Sequence, residues 1–433
     1  VGGKFSSIGG LMRGGIGKIF MDDGSGDSTF NTRENHVVSA ITFNNNDIYV
    51  GGYFTEIGGL ERKRIAKLTL TGEADPDFNP CAGAMVRTIS FNGTDFFVGG
   101  DFTSINGVTR NNIARLSNTT GEPDSWNPNA NDEVNTMALS GLILYIGGNF
   151  TQIGSMPVNY ACALATSGLE PMWYPNPNGS VHKIYLDGGY AYVSGWFTTI
   201  GGLTRSHIAK CNTSDGAADP TWNANASGIV YDIISIGSYI YVGGSFTSIG
   251  GQSRNRIARL YKTDGTAETS WNPNANNTVY ALQIYQSQAM DDYLWVGGAF
   301  TSISSGAGTH YIALFNLTGP FTPAWLNDDA NGVVNTITNA STGGNVFVGG
   351  KFTHIGGTDR NYLAKMDLNG IIDADWNPSP NGYVNSLNVN NNFLNVGGNF
   401  QLISGEPQSY YARFKETDDL RLNLKVFLQG AYR

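Results

Sequence analysis

Hydrophobic and polar residues alternate along this chain in short runs, and Gly, Asn and Asp interrupt them roughly every 8–12 residues. Variants of one phrase recur: a small hydrophobe, Gly-Gly, any residue, Phe, Thr, any residue, Ile. The copies begin at Val1, Val50, Val98, Ile146, Val193, Val242, Val296, Val348 and Val396. Successive spacings are 49, 48, 48, 47, 49, 54, 52 and 48 residues. A nearly constant period over the whole length means that one small unit, repeated, is the architecture.

The slots of the unit are regular. Phe stands at Phe5, Phe54, Phe102, Phe150, Phe197, Phe246, Phe300, Phe352 and Phe400, and Ile three residues on, as at Ile8, Ile57 and Ile105. A second apolar stretch follows, clearest at Ile65–Leu68, Ile113–Leu116 and Ile257–Leu260. Then comes a turn such as Asp215-Gly216, Asp264-Gly265 or Asn369-Gly370, dipeptides that accept positive φ cheaply. An aromatic closes the unit at Phe30, Phe78, Trp126, Trp173, Trp222, Trp271, Trp325 and Trp376, so six of the eight Trp share one slot. An alternating segment such as Val86-Arg87-Thr88-Ile89 leads back to the next Gly-Gly.

This pattern predicts four short strands per unit and almost no helix, since no long segment carries a 3.6-residue rhythm. A four-stranded unit of this length is a propeller blade. The predicted fold is all-β: a single β-propeller of eight or nine four-stranded blades over residues 1–419, with 420–433 as a tail strand or the start of a further domain. One blade cannot bury both of its faces, so stacking must cover the Phe, Ile and Trp slots, and the ring must close to leave no bare edge. Nine second strands but only eight first strands are present. The opening at Val1, inside a second strand, reads as a fragment or a processed product.

The stretches Val50–Pro80 and Val242–Pro273 resemble the delta-60 repeat, a β-propeller family of bacterial surface proteins and phage proteins with relatives in fungal cell-polarity markers. The resemblance extends over about Val1 to Lys415. It implies a propeller and supplies no catalytic residues. The Gly-Gly placement is also similar to that of kelch blades. Leu420–Arg433 resembles a segment that begins a further domain in surface proteins of Bacteroidota, which points to a larger protein from such bacteria or their phages.

Charged residues make up only 14% of the chain and the net charge is −9, against roughly 25% charged in average proteins. That balance argues against a nucleic-acid partner held by phosphate contacts. No apolar run is long enough to span a membrane. Cys81, Cys162 and Cys211 form no CxxC pair and read as free thiols.

Each candidate site has a bland counterpart. Arg13, Arg62, Arg110, Arg205, Arg254 and Arg360 precede the third strand, whereas Val158, Thr309 and Gln408 replace them in other copies. They form either a cationic ring for an anionic polymer or a repeated structural device, bonded to carbonyls or paired with Asp75, Asp219 or Asp373; the structural reading is favoured. Asp22, Asp23 and Asp27 resemble half a calcium loop, but no bidentate Glu follows, so turn chemistry is preferred and no cofactor is expected. The five His show no metal-ligand spacing. Asn-rich loops (44–46, 129–131, 274–277, 390–392) and Tyr174, Tyr231 and Tyr280 offer sugar-binding chemistry, though Asn is also simply a good turn residue. The residues taken as structural repeat positions are Phe54, Phe102, Phe150, Phe246, Ile57, Ile105, Trp126, Trp271, Arg62, Arg110 and Arg254.

Two functions are carried forward. One is a non-enzymatic structural or binding propeller, phage-tail-associated or on a bacterial cell surface, that docks a protein partner or a surface glycan as part of a larger polypeptide or assembly. It would be extracellular, on the cell surface or on a virion, without nucleic acid and without membrane insertion. The alternative is a glycan lyase or hydrolase at the channel mouth, for which Asp291, Asp292 and His310 are the clustered polar candidates.

Overall fold

The computed structural model describes residues 36–398 except 37, 45–46, 70–71, 92–95, 287–291, 305–309, 318–322, 325–329, 341–344 and 391–392, together with 7–8, 11–12 and 411–415. Among the described residues there is no helix. Eight antiparallel meanders recur, with first strands Val38–Asn44, Val86–Phe91, Val134–Ser140, Val181–Asp187, Val230–Ile236, Val279–Gln286, Val334–Asn339 and Val384–Asn390. Val230–Ile236 pairs with Tyr239–Gly244, which pairs with Ile257–Tyr261, and the others follow the same order.

The fourth position departs from the sequence expectation. It is a strand at Pro171–Trp173 and Pro323–Ala324. Elsewhere it is reduced to single bridges: Leu68–Ala74, Leu116–Pro123, Cys211–Ala218, Leu260–Ala267 and Met366–Ile372. The cause is local. The Asp219 carboxylate accepts from the N–H groups of Thr221 (3.0 Å) and Trp222 (3.3 Å), and Asp373 does the same for Asp375 and Trp376 (both 3.2 Å). Such Asx turns take the N–H groups that a longer ladder would need.

The Gly-Gly pair answers two different close approaches. A Cβ on the first glycine would strike the first strand of the next blade: on Gly147 it would lie 2.4 Å from Val181 Cγ1, and on Gly349 2.3 Å from Val384 Cγ1. A Cβ on the second would strike backbone of its own blade, as at Gly148, 2.0 Å from the Glu133 carbonyl oxygen. The one non-glycine, Ser194, is fully buried and turns its hydroxyl onto the Val230 carbonyl of the next blade (3.0 Å). Gly147→Ala is therefore expected to cost about 1–3 kcal/mol by overpacking. Gly168→Ala, whose Cβ would meet only Ala165 at 3.5 Å, is the near-neutral control in the same urea titration.

The core lies between blades. Tyr192 and Trp222 of one unit pack against Val230, Ile240, Val242 and Leu260 of the next. The aromatic of the second strand meets the slot aromatic of its own unit edge to face, as in Tyr145–Trp173 (5.2 Å) and Tyr192–Trp222 (5.6 Å). The indole N–H then reaches a carbonyl on the next blade: Trp173 to Asn212 (2.6 Å) and Trp222 to Tyr261 (3.0 Å). One cluster contains Ile48, Val50 and Phe54 from the first of these sheets together with Val384, Leu394 and Val396 from the last. Apolar packing thus joins the two ends of the series. The architecture is a β-propeller.

Candidate functional site

The recurrent arginine is buried and spent on backbone. Arg205 is 6% exposed. Its Nε donates to the Trp222 carbonyl (2.8 Å), Nη1 to Thr204 (2.9 Å), and Nη2 to Asp219 (3.0 Å) and Pro220 (3.2 Å). Arg62 makes the corresponding bonds to Phe78, Glu61, Asp75 and Pro76. Arg110, Arg254 and Arg360 likewise donate to carbonyls before the aromatic slot.

The carboxylates beside those carbonyls serve other cations, which sequence reasoning missed. They pair with the basic residue of the third strand: Lys67–Asp75 (2.8 Å), Arg115–Asp124 (2.6 Å), Lys210–Asp219 (2.9 Å), Arg259–Glu268 (2.6 Å) and Lys365–Asp373 (2.9 Å). The signal was present as the basic residue in most IAKL-like stretches, though Ala163 and Leu314 stand there in two units. Burial pushes the Asp219 carboxyl up, but bonds from Lys210 and Thr221 outweigh it and lower the pKa to about 2, below the ordinary 3.8. A folded-state pKa below the unfolded one means stability that is full above about pH 4 and lost as pH falls towards 2. Asp219→Asn is expected to lower the melting temperature at pH 7 and to converge with the parent protein near pH 2, as read by thermal melts across that range.

The Asn-rich loops also hold the blade. Asn131 Oδ1 accepts from the N–H groups of Thr151 (2.8 Å) and Gln152 (3.0 Å), and its Nδ2 donates to the Thr151 hydroxyl (3.0 Å). Asn178, Asn276 and Asn331 repeat this around Thr198, Thr301 and Thr353. Asn129, Asn176, Asn225 and Asn274 occupy left-handed backbone, with φ from 39° to 56°. Tyr174 is half-buried, and its hydroxyl donates to the Pro171 carbonyl.

Asp292 and His310, grouped in the sequence as clustered candidates, are not brought together. Asp292 starts its strand opposite Gln286, whereas His310 precedes Ile312, which pairs with Gly297. They sit at opposite ends of one sheet, since about 17 Å of strand, at ~3.4 Å per residue, separates Asp292 from the Gly297 that faces Ile312. Asp22, Asp23, Asp27, Asp291 and the 420–433 tail lie outside the described residues. Cys162 and Cys211 are buried free thiols, and burial raises the Cys211 pKa to about 12.

What remains is a ring that the sequence pattern hid. Every described first strand has a register shift after its first residue, as between Val134 and Thr136, Val230 and Asp232, and Val279 and Ala281. The extra residue of this β-bulge stands outside the ladder. Around the series it is Ser39, Arg87, Asn135, His182, Tyr231, Tyr280, Asn335 and Asn385. First strands of adjacent blades touch directly, through the Lys183–Asp232 ion pair, Tyr185–Ser235 (3.1 Å) and Asn335 Nδ2 to the Val384 carbonyl (2.9 Å). They line the centre of the propeller, and the bulge residues rim one mouth.

The strongly exposed aromatics share that end. They are Tyr53 (45%), Trp196 (60%), Tyr231 (42%), Tyr280 (39%) and Tyr383 (42%) among the described residues. Tyr53 and Trp196 directly follow the final glycine of a second strand, Tyr231 and Tyr280 are bulge residues, and Tyr383 directly precedes a first strand. Because Val230 pairs with Gly244, the start of a first strand and the end of a second coincide. Leu142, Leu169 and Ile371, exposed at the far end, are aliphatic, and the hairpins after the second strands add exposed Leu60, Val108 and Met156 to the aromatic end.

Five segments, residues 44–78, 97–125, 187–221, 240–270 and 344–375, match the family model described as a domain of unknown function (DUF5122) beta-propeller. No curated protein matches the chain. Among solved structures the chain is similar to the computationally designed Ika8 protein, at 12% identity and a TM-score of 0.57, covering 86% of this chain and 96% of that one. It also aligns with BamB from Moraxella catarrhalis, at 14% identity and a TM-score of 0.45, over 88% and 92% of the two chains. The WD40 beta propeller domain of Doa1 aligns at 9% identity and a TM-score of 0.42, over 72% and 88%.

Proposed function

With the chain a β-propeller built from repeats of the DUF5122 family, we propose that it is a non-enzymatic binding module of a bacterial cell surface or a phage particle. It docks its partner through the end that carries the bulge ring. The observation that carries this reading is the segregation of Tyr53, Trp196, Tyr231, Tyr280 and Tyr383 to that end. Nothing in the blade's own packing requires aromatics there, since the slots that hold the blades together are filled by buried Phe, Ile, Trp and Arg. Exposed rings grouped on one surface are the usual mark of recognition. The charge-poor composition fits a partner recognised by shape and hydrogen bonds rather than by a strong field.

The test is a comparison of two multiple variants of the full chain in binding to a panel of intact Bacteroidota strains. Replacing the five exposed aromatics with Ser is expected to abolish cell binding. Replacing Leu142, Leu169 and Ile371 with Ser is expected to leave it unchanged. Loss with the second set alone, or with neither, overturns the assignment of the face.

A further inference from the structure

We propose that three neighbouring bulge positions, His182, Tyr231 and Tyr280, form a subsite for a neutral sugar ring, an inference that rests on the face assigned above. They occupy the same register position in three consecutive blades. The two tyrosine rings stand 5.7 Å apart at 53° and are 42% and 39% exposed, so they make an open, angled apolar cradle. The C–H face of a pyranose suits such a surface, while the hydroxyl groups that ring it need the donors and acceptors that Tyr, His and Asn supply. Asn135 and Asn335 continue the arc on either side of the trio.

Charge decides the ligand class. The ionic groups on the described first strands are paired. Lys183 is bound to Asp232, whose second oxygen accepts from the Leu282 N–H (2.8 Å). Arg87 is held by Asp101 (2.9 Å) and Glu133 (3.3 Å). Desolvation keeps the His182 pKa below its ordinary value. The trio therefore presents hydroxyl and imidazole groups over flat rings, and its own strands carry no uncompensated charge among the described residues. That favours a neutral glycan over an anionic polymer or a basic peptide. The bulge also frees these side chains from the ladder, so they change without cost to sheet pairing. The same position is Ser39, Arg87 or Asn385 in other blades.

The experiment is calorimetric titration of the full chain with maltohexaose, cellohexaose, xylohexaose, mannohexaose and chitohexaose, with hexagalacturonate as the anionic comparison. At least one neutral hexasaccharide is expected to bind. Tyr231→Ala and Tyr280→Ala should each weaken it roughly tenfold, with the urea midpoint unchanged. The sugar inference is overturned if no neutral hexasaccharide binds, if hexagalacturonate binds as well as the neutral sugars, or if both variants retain affinity within about twofold. If the sugars fail while the five-aromatic variant still loses cell binding, the face stands and its ligand is a protein. If a sugar binds through the tyrosines while cell binding ignores the face, the subsite stands and the docking reading falls.

Discussion

Trp222→Ala is expected to lower the stability of this protein by about 3–5 kcal/mol, read as a shift of the urea midpoint. The indole is fully buried and makes three kinds of contact at once. It packs edge to face on Tyr192 of its own unit, lies among Val242 and Leu260 of the next, and donates its N–H to the Tyr261 carbonyl (3.0 Å). Truncation opens a cavity between blades that neither sheet can close, because the backbones on both sides are fixed by ladders. Trp222→Phe keeps most of the packing and loses only the bond, so it should cost about 1–2 kcal/mol. Trp196→Ala, at a ring 60% exposed, is the internal control and should fall within about 0.5 kcal/mol of the parent protein. Equal effects at Trp222 and Trp196 would mean that the blades are not held by this slot.

Arg205→Ala should be comparably severe, at about 3–5 kcal/mol. The guanidinium satisfies carbonyls of Thr204, Asp219, Pro220 and Trp222 from one buried position. Its removal leaves those acceptors facing a void. Arg205→Lys should recover little, since a single ammonium cannot span acceptors arranged for a planar fork. The outcome separates the two sequence readings of the arginine series. A cation ring for an anionic polymer predicts an intact fold with weakened binding, whereas a blade strut predicts loss of stability whether or not a ligand is present. A fully stable Arg205→Ala protein would remove the strut.

Much of this was legible before any coordinates. The invariance of Phe54, Ile57 and their counterparts announced a buried repeat, and the turn dipeptides placed the hairpins. Gly216, Gly265 and Gly370 do take positive φ, between 75° and 81°. Other features were visible only as unexplained regularities. The basic residue of the IAKL stretch could not be matched in the sequence to its carboxylate, two or three positions before the aromatic slot, because that contact joins the third strand to the chain beyond the next turn. The pairing of the second-strand aromatic with the slot aromatic was likewise present in the letters. Asn395 stands at that position in the last second strand, after which no slot aromatic follows. The Asp292 and His310 grouping failed for a simple reason: sequence proximity across a hairpin says nothing about which end of an extended strand each residue occupies.

The sequence by itself determined the unit, its strands and the demand that units shelter one another, because alternation, turn chemistry and repeated bulky slots act within one period. Tertiary structure alone decided which end of the wheel is chemically distinctive. Tyr53, Trp196, Tyr231, Tyr280 and Tyr383 are scattered over 331 positions of the sequence. Only the antiparallel pairing that sets strand starts beside strand ends, and the bulge that turns one residue out of each inner ladder, gathers them on a single face.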